Sequence, residues 1–393
     1  MSQYQYHPET LAVRIRSERT DNMEHSSPLY LTSSFTYPNA ERMRATFADE
    51  TDDYIYSRFS NPNVEEVVNK VAMLEGAPAG YATASGMSAI WASFMALLSA
   101  GDHLLACRAI FGSTHTLITK YLPKYGIQYD YFDIDKPEQV EALMKPNTKM
   151  IFVETPSNPG LDIIDLEWLG KLARSRNIIL NVDNCFATPI LQRPYLLGAH
   201  LVTTSATKWM DGQGRVLGGV VVGDEKLIKD IYAFCRSTGP ALSPFNAWVL
   251  SRSLETLSIR MARHTESALK LATALEGNKH LEWVKYPLLP SHPQYEIAKK
   301  QMSGGGGLVG FELKGGIERG RRFLDNLELL SLTANLGDSR SIASHPSSTT
   351  HAKLTEAERL QAGITPGFIR ISVGLEYAGD IQHDIMQALE RSV

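Results

Sequence analysis

The chain has 393 residues, of which 43% are hydrophobic and 21% charged, and a formal net charge of −4. This describes a globular protein of more than one domain; it supplies no basic field for nucleic acid, and no stretch reaches the roughly 18 apolar residues of a membrane span. Three widely spaced cysteines, Cys107, Cys185 and Cys235, argue against a disulfide framework and for a reducing, cytoplasmic setting.

The start, Met1-Ser2-Gln3-Tyr4, is polar with no apolar core behind it, which predicts no secretion signal. Residues 1–62 are rich in Tyr, Ser, Thr and Pro without sustained periodicity and read as an extended arm that packs on something else. From 63 to 258 short apolar runs alternate with helical patterns. Gly80–Ser85 precedes a helix over Gly86–Leu98, and His103–Cys107 precedes a helix through Leu117 and Tyr121. Further runs are Ile127–Phe132, Met150–Glu154, Ile178–Asp183, Leu201–Thr204 and Gly219–Val222. The alternation predicts an α/β fold: right-handed crossovers, a mostly parallel sheet covered on both faces, and ligands at the carboxyl ends of its strands. Over 259–393 the pattern changes to a long helix, His264–Leu275, strands at Leu308–Leu313 and Phe368–Val373, and a final helix, which reads as a smaller α+β domain. Four consecutive glycines, Gly304–Gly307, read as a flexible loop.

Polar residues cluster where the strands end. Asp183 closes one run, Asn158 follows another, and Lys208 ends Ser205-Ala206-Thr207-Lys208 after a third, so a parallel sheet would project all three into one crevice. Each has a plainer reading: Asp183 as a helix cap, Asn158-Pro159-Gly160 as a turn, and Lys208 as a solvated surface charge. Ser85-Gly86-Met87 puts a glycine at a strand-to-helix junction, where unpaired amides can receive a phosphate; an ordinary cap explains Ser85 but not why Gly86 starts a helix. Ser205 and Thr207 could add hydroxyl donors to that anion, and Arg58 could add charge from the arm.

Tyr56-Ser57-Arg58-Phe59-Ser60-Asn61-Pro62, Ser85-Gly86-Met87, Glu154-Thr155-Pro156-Ser157-Asn158-Pro159, Val182-Asp183-Asn184 and Ser205-Ala206-Thr207-Lys208 occur in that order. They are followed by Leu336-Gly337, Ser341, His345-Pro346 and Arg370-Ile371-Ser372-Val373-Gly374. The set resembles the Cys/Met-metabolism enzymes that use pyridoxal 5′-phosphate (PLP), over essentially the whole chain. Asp183-Asn184-Cys185-Phe186, Asp211-Gly212-Gln213-Gly214-Arg215 and Gly337-Asp338-Ser339-Arg340-Ser341 look most like the O-succinylhomoserine sulfhydrylase branch. The resemblance implies a PLP-dependent transferase of fold type I, a homotetramer of two tight dimers with active sites shared across the dimer interface. It implies that Lys208 carries the cofactor, Asp183 pairs with its pyridine nitrogen and Asn158 bonds its ring hydroxyl. Gly86, Met87, Ser205 and Thr207 would bind the phosphate, joined by Tyr56 and Arg58 of a neighbouring subunit, and Arg370 and Ser341 would hold the substrate carboxylate. The implied chemistry is γ-replacement on an O-acylhomoserine by sulfide, with the freed Lys208 amine moving protons, in methionine biosynthesis. An acetyl ester, cystathionine formation and γ-elimination are its alternatives.

Departures from that pattern inform the substrate. Phe111 stands where many members stack a Tyr on the cofactor ring, and it keeps the stacking while losing a proton donor. A departing thiol of pKa about 8.5 profits from such a donor, whereas a carboxylate near about 4 leaves unaided, so Phe111 favours an O-acyl ester. Ring stacking alone is the plainer account. Arg340 could face a succinyl carboxylate or pair with Asp338, and Trp209 replaces a Tyr-type aromatic. Cys185 has no partnered His and reads as packing; His345 and His351 lack a ligand set for a metal and are expected to order a loop near the substrate. A dinucleotide-dependent oxidoreductase would need a different spacing from Gly212-Gln213-Gly214 and Gly218, and a cofactor-binding protein without catalysis would not need Lys208, Asp183 and Arg370.

Overall fold

A computed structural model describes residues 6–349, 355–361 and 363–393. His351, expected near the substrate, lies outside the described residues. Among those described, twelve strands form two sheets, and no helix is long and apolar enough to cross a membrane.

The larger sheet comprises β1 (Ala79–Thr83), β2 (His103–Cys107), β3 (Gln128–Phe132), β4 (Thr148–Glu154), β5 (Ile179–Asp183), β6 (Leu201–Ser205) and β7 (Gly219–Gly223), in the order β1-β7-β6-β5-β4-β2-β3. Only β7 runs against the others, antiparallel to both β1 and β6, so six strands end at one edge. Fully buried runs such as Leu104-Leu105-Ala106 and Ile151-Phe152-Val153 are what a sheet covered on both faces demands. Helix Gly86–Leu97 covers one face, where the Phe94 ring meets Phe152 edge-on at 5.3 Å between centroids. Asn181, polar in the middle of β5, donates to Ser93 Oγ at 2.8 Å, so its burial carries no unpaired amide on that side.

Three elements differ from the sequence reading, the start of the long helix, Leu257–Leu275, being one. The helix expected through Leu117 and Tyr121 is broken into a short α-turn at Gly112–Thr116, a wider π-turn at Leu117–Tyr121 and a 3₁₀ turn at Leu122–Tyr125, because Pro123 has no N–H to continue the ladder. Residues 304–307 are not a flexible loop. All four glycines are buried; a Cβ on Gly305 would overlap the Tyr286 ring, and one on Gly307 would overlap Trp209. The glycines are there for close packing.

The second sheet joins β8 (Leu281–Lys285), β9 (Leu308–Leu313), β10 (Ser331–Leu332), β11 (Ile342–Ser344) and β12 (Phe368–Ser372) in the order β10-β11-β12-β9-β8. The long helix begins at Leu257 rather than at His264 and runs to Leu275. Its Leu257 and Met261 enter the core of the large sheet, while Leu271 and Leu275 enter that of the small one. One rigid element thus sets the small sheet, with Arg370 on β12, over the edge where β4, β5 and β6 end. The described residues before Asn61 contain two short helices, Pro8–Arg14 and Ala40–Phe47, in otherwise irregular chain, and leave Leu31, Met43, Phe47 and Tyr56 exposed.

Candidate active site

A cavity of about 240 Å³ opens at the carboxyl edge of the large sheet, between it and the small one. Its floor begins where β1 hands over to a helix. Ser85 Oγ accepts from Ser88 N at 3.1 Å, capping the helix, and Gly86 follows because a Cβ there would come within 2.6 Å of Ser205 Cβ. Gly86 therefore lets the helix start lie directly on the end of β6, with its first amides turned to the cavity and Met87 beside them. Thr207 and Ser205 line the same corner, and Thr207 Oγ1 is tied to Gly218, accepting from its N–H at 3.1 Å.

Lys208 enters from just beyond β6. Its Nζ donates to Asn335 Oδ1 at 2.6 Å, and burial, with the nearby Arg370 charge adding to it, holds the amine below the ordinary lysine range. Asp183, the last residue of β5, is buried and accepts the Cys185 N–H at 2.9 Å. Burial pushes its carboxyl up to about 7 against the pull of that hydrogen bond. One main-chain donor does not satisfy a buried carboxylate, so Asp183 is built to meet a cation in the cavity.

Arg370 faces them from β12, buried, with Nη1 donating to Asn158 Oδ1 at 2.9 Å. Burial lowers its guanidinium to about 10, with Glu154 opposing the shift, so it remains charged at neutral pH and can receive a carboxylate. The Phe111 ring lines the mouth.

The cavity thus gathers Gly86, Met87, Phe111 and Asn158 with Asp183, Ser205, Thr207, Lys208 and Arg370. Four other candidates lie elsewhere. Tyr56 is exposed on the arm, and Arg58 donates to the Arg236 carbonyl with its guanidinium 4.9 Å from the centre of the Phe59 ring. Ser341, expected at the substrate, instead donates to Glu376 Oε2 at 2.9 Å and accepts from Gly374 N at 2.8 Å, which occupies its hydroxyl in bracing β11 against β12. Arg340 is exposed and clasps Asp338, at 2.9 Å from Nε to Oδ1, and the Gln213 carbonyl; of its two readings the local pair is the one formed.

Two groups at the site have no role in the sequence reading: Glu154, which lines the cavity, and Asn335, which accepts from Lys208 Nζ. The carboxylate closing the run Met150–Glu154 is the signal for the first, as it is for Asp183; for Asn335, in a loop, no signal exists. Trp209 is fully buried against Gly307, Gly337 and His264, its ring 4.7 Å from that of His264, which makes it packing under the lysine. Cys185 is buried too, and burial raises its thiol well above the ordinary range, so it is no nucleophile. His345 bonds Ser348 Oγ at 2.7 Å and the Pro366 carbonyl at 2.8 Å, ordering the loop after β11. Gly212 packs on Arg260 rather than opening a helix, unlike a dinucleotide loop. Among the described residues, no three His, Cys, Asp or Glu side chains are placed to share a metal.

Residues 9–390 match the family model described as Cys/Met metabolism PLP-dependent enzyme. The chain is 47% identical to an O-succinylhomoserine sulfhydrylase of Pseudomonas aeruginosa, over 97% of this chain and 94% of that one. It is 41% identical to an L-methionine gamma-lyase of Porphyromonas gingivalis, over 93% and 92%. Among solved structures, a putative O-acetylhomoserine (thiol)-lyase of Campylobacter jejuni superposes with a TM-score of 0.94 at 34% identity, covering 98% of this chain and all of that one; it carries a pyridoxyl-lysine phosphate.

Proposed function

This chain belongs to the Cys/Met metabolism PLP-dependent enzyme family, and on that premise we propose that it replaces the acyl group of an O-acyl-L-homoserine, O-succinylhomoserine foremost, with sulfide to give homocysteine. The observation that carries the reading is the opposition, in one buried cavity, of a lysine amine of lowered proton affinity, an under-satisfied carboxyl and an arginine with donors to spare. These residues fit the family's cofactor. Gly86 clears a main-chain cradle for its phosphate, with Met87, Ser205 and Thr207 beside it; Asp183 answers its ring nitrogen, Asn158 its hydroxyl, and Phe111 its flat face. Bound there, PLP supplies an aldehyde for amines and an electron sink.

Arg370 holds the substrate α-carboxylate and so orients the α-hydrogen toward Lys208. The Lys208 amine, uncharged more readily because it is buried, takes that proton and serves the β-carbon next; Asn335 keeps it in reach. The acyl carboxylate leaves the γ-carbon without needing a proton, and sulfide takes its place. Phe111 offers no hydroxyl to a departing thiol, which supports an ester over a thioether as substrate. The test is a comparison of initial rates: O-succinylhomoserine with sulfide is expected to outrun cystathionine, and Phe111→Tyr to shift the ratio toward cystathionine. Faster cleavage of cystathionine by the unmodified protein would overturn the ester reading.

A second reading, γ-elimination, is supported by the 41% identity to an L-methionine gamma-lyase. We further propose residues 1–62 as an arm, 63–258 as the cofactor domain and 259–393 as the small domain of a homotetramer. In it, the arm, with Leu31, Met43 and Phe47 exposed, seats Tyr56 and Arg58 at a neighbour's phosphate site. The three cysteines, all buried and unpaired, support a cytoplasmic setting.

The cradle makes its own prediction. Gly86→Ala must push the helix start off Ser205, and overpacking of this kind costs about 1–3 kcal/mol, so PLP is expected to bind roughly tenfold or more weakly in equilibrium titration. A dissociation constant unchanged by the methyl group would remove Gly86 from the phosphate site.

A further inference from the structure

Glu154 and Asp183 end neighbouring parallel strands, β4 and β5, as register partners, so their side chains leave the sheet on the same face, and both line the cavity. Asp183 has a purpose there as the partner of a cation. Glu154 has none in the reaction as described, although a second buried carboxyl beside the first is costly to keep.

Its contacts indicate a use. Glu154 Oε2 accepts the main-chain N–H of Phe111 at 2.7 Å. Phe111 precedes the short helix Gly112–Thr116, which has no side-chain cap of its own, and its ring stands at the cavity mouth, 39% exposed. A ring that exposed is not held by packing alone; the fixed point of this segment is the hydrogen bond from its main chain into the buried strand end. The other charged groups facing Glu154 are Asp183 and Arg370, and Arg370 is already joined to Asn158.

We propose that Glu154 is a positioning residue, anchoring Phe111 over the cofactor site through its main chain. Electrostatics agree with the geometry: burial, and then the neighbouring Asp183, raise the Glu154 carboxyl well above the ordinary carboxylate range. Two carboxyls side by side cannot both ionise cheaply. Glu154 works here as a hydrogen-bond acceptor, a role that an amide oxygen can imitate and a shorter acid cannot.

The proposal rests on the reading of this cavity as the PLP site, and the test separates the two. PLP is titrated into cofactor-stripped unmodified protein, Glu154→Gln and Glu154→Asp, following dissociation constant and the visible absorption of the bound cofactor, with kcat and KM measured on the reconstituted enzymes. Glu154→Gln is expected to stay within about twofold of the unmodified protein, while Glu154→Asp, one methylene too short to reach the Phe111 N–H, binds PLP about tenfold more weakly with an altered absorption band. Glu154→Asp equal to the unmodified protein, or Glu154→Gln impaired as much as Glu154→Asp, would overturn the role of Glu154 and leave the site reading intact. If the unmodified protein itself acquires no visible band with PLP, both readings fall.

Discussion

Lys208→Ala is expected to lower turnover by about four orders of magnitude and to leave PLP bound without the absorption that its link to the lysine produces. Two functions would be lost together, since the reading gives the same Nζ, which lines the cavity, both the hold on the cofactor and the movement of substrate protons. Folding is expected to survive: among the described contacts the amine makes one hydrogen bond, to Asn335 on a loop, and its removal relieves the burial of a cation. Circular dichroism and steady-state rates check this, and retention of more than about a hundredth of the turnover would disprove the assignment.

Asp183→Asn should have the next largest effect, and it isolates charge from shape. The amide oxygen can still accept the Cys185 N–H, so the 2.9 Å contact and the strand end are preserved. What would disappear is the anion proposed to keep a ring nitrogen protonated, in a site almost shut off from water, where Asp183 is only 8% exposed. Removing one partner of a buried ion pair costs about 3–5 kcal/mol, which corresponds to a fall in kcat of roughly a hundred- to several-thousand-fold. Because the charge matters most when electrons move into the ring, kcat should fall while KM changes little. A loss confined to KM would assign Asp183 to substrate binding instead.

Much of this site is legible in the sequence because parallel strands end in polar residues for a reason. In Ile178–Asp183 and in Leu201 through Lys208 an apolar run stops at a group too expensive to bury without a task, and both groups prove to line one cavity. The helix start at Gly86 is legible for a similar reason, a residue poor for helices in a place where only close approach explains it. What stays hidden depends on pairing across the fold. That β7 runs antiparallel between β1 and β6, or that Glu154 is level with Asp183, follows from register, which no local pattern states. Gly304–Gly307 misleads because the same residue serves flexibility and tight packing, and only Tyr286 and Trp209, contributed by distant segments, decide between them. Ser341 and Arg340 lie next to the site in sequence yet are spent on Glu376 and Asp338. Tyr56 and Arg58 sit outside the chain's own cavity, and the part proposed for them depends on a second copy.

The most direct test of γ-replacement is the fate of one substrate. O-succinylhomoserine incubated with the PLP-loaded protein and saturating sulfide is analysed for homocysteine, the replacement product, and for 2-oxobutyrate and ammonia, the products of elimination. Homocysteine as the main product, formed in step with succinate, is the predicted result. Release of succinate with 2-oxobutyrate as the main product despite sulfide, or no release of succinate at all, would contradict it.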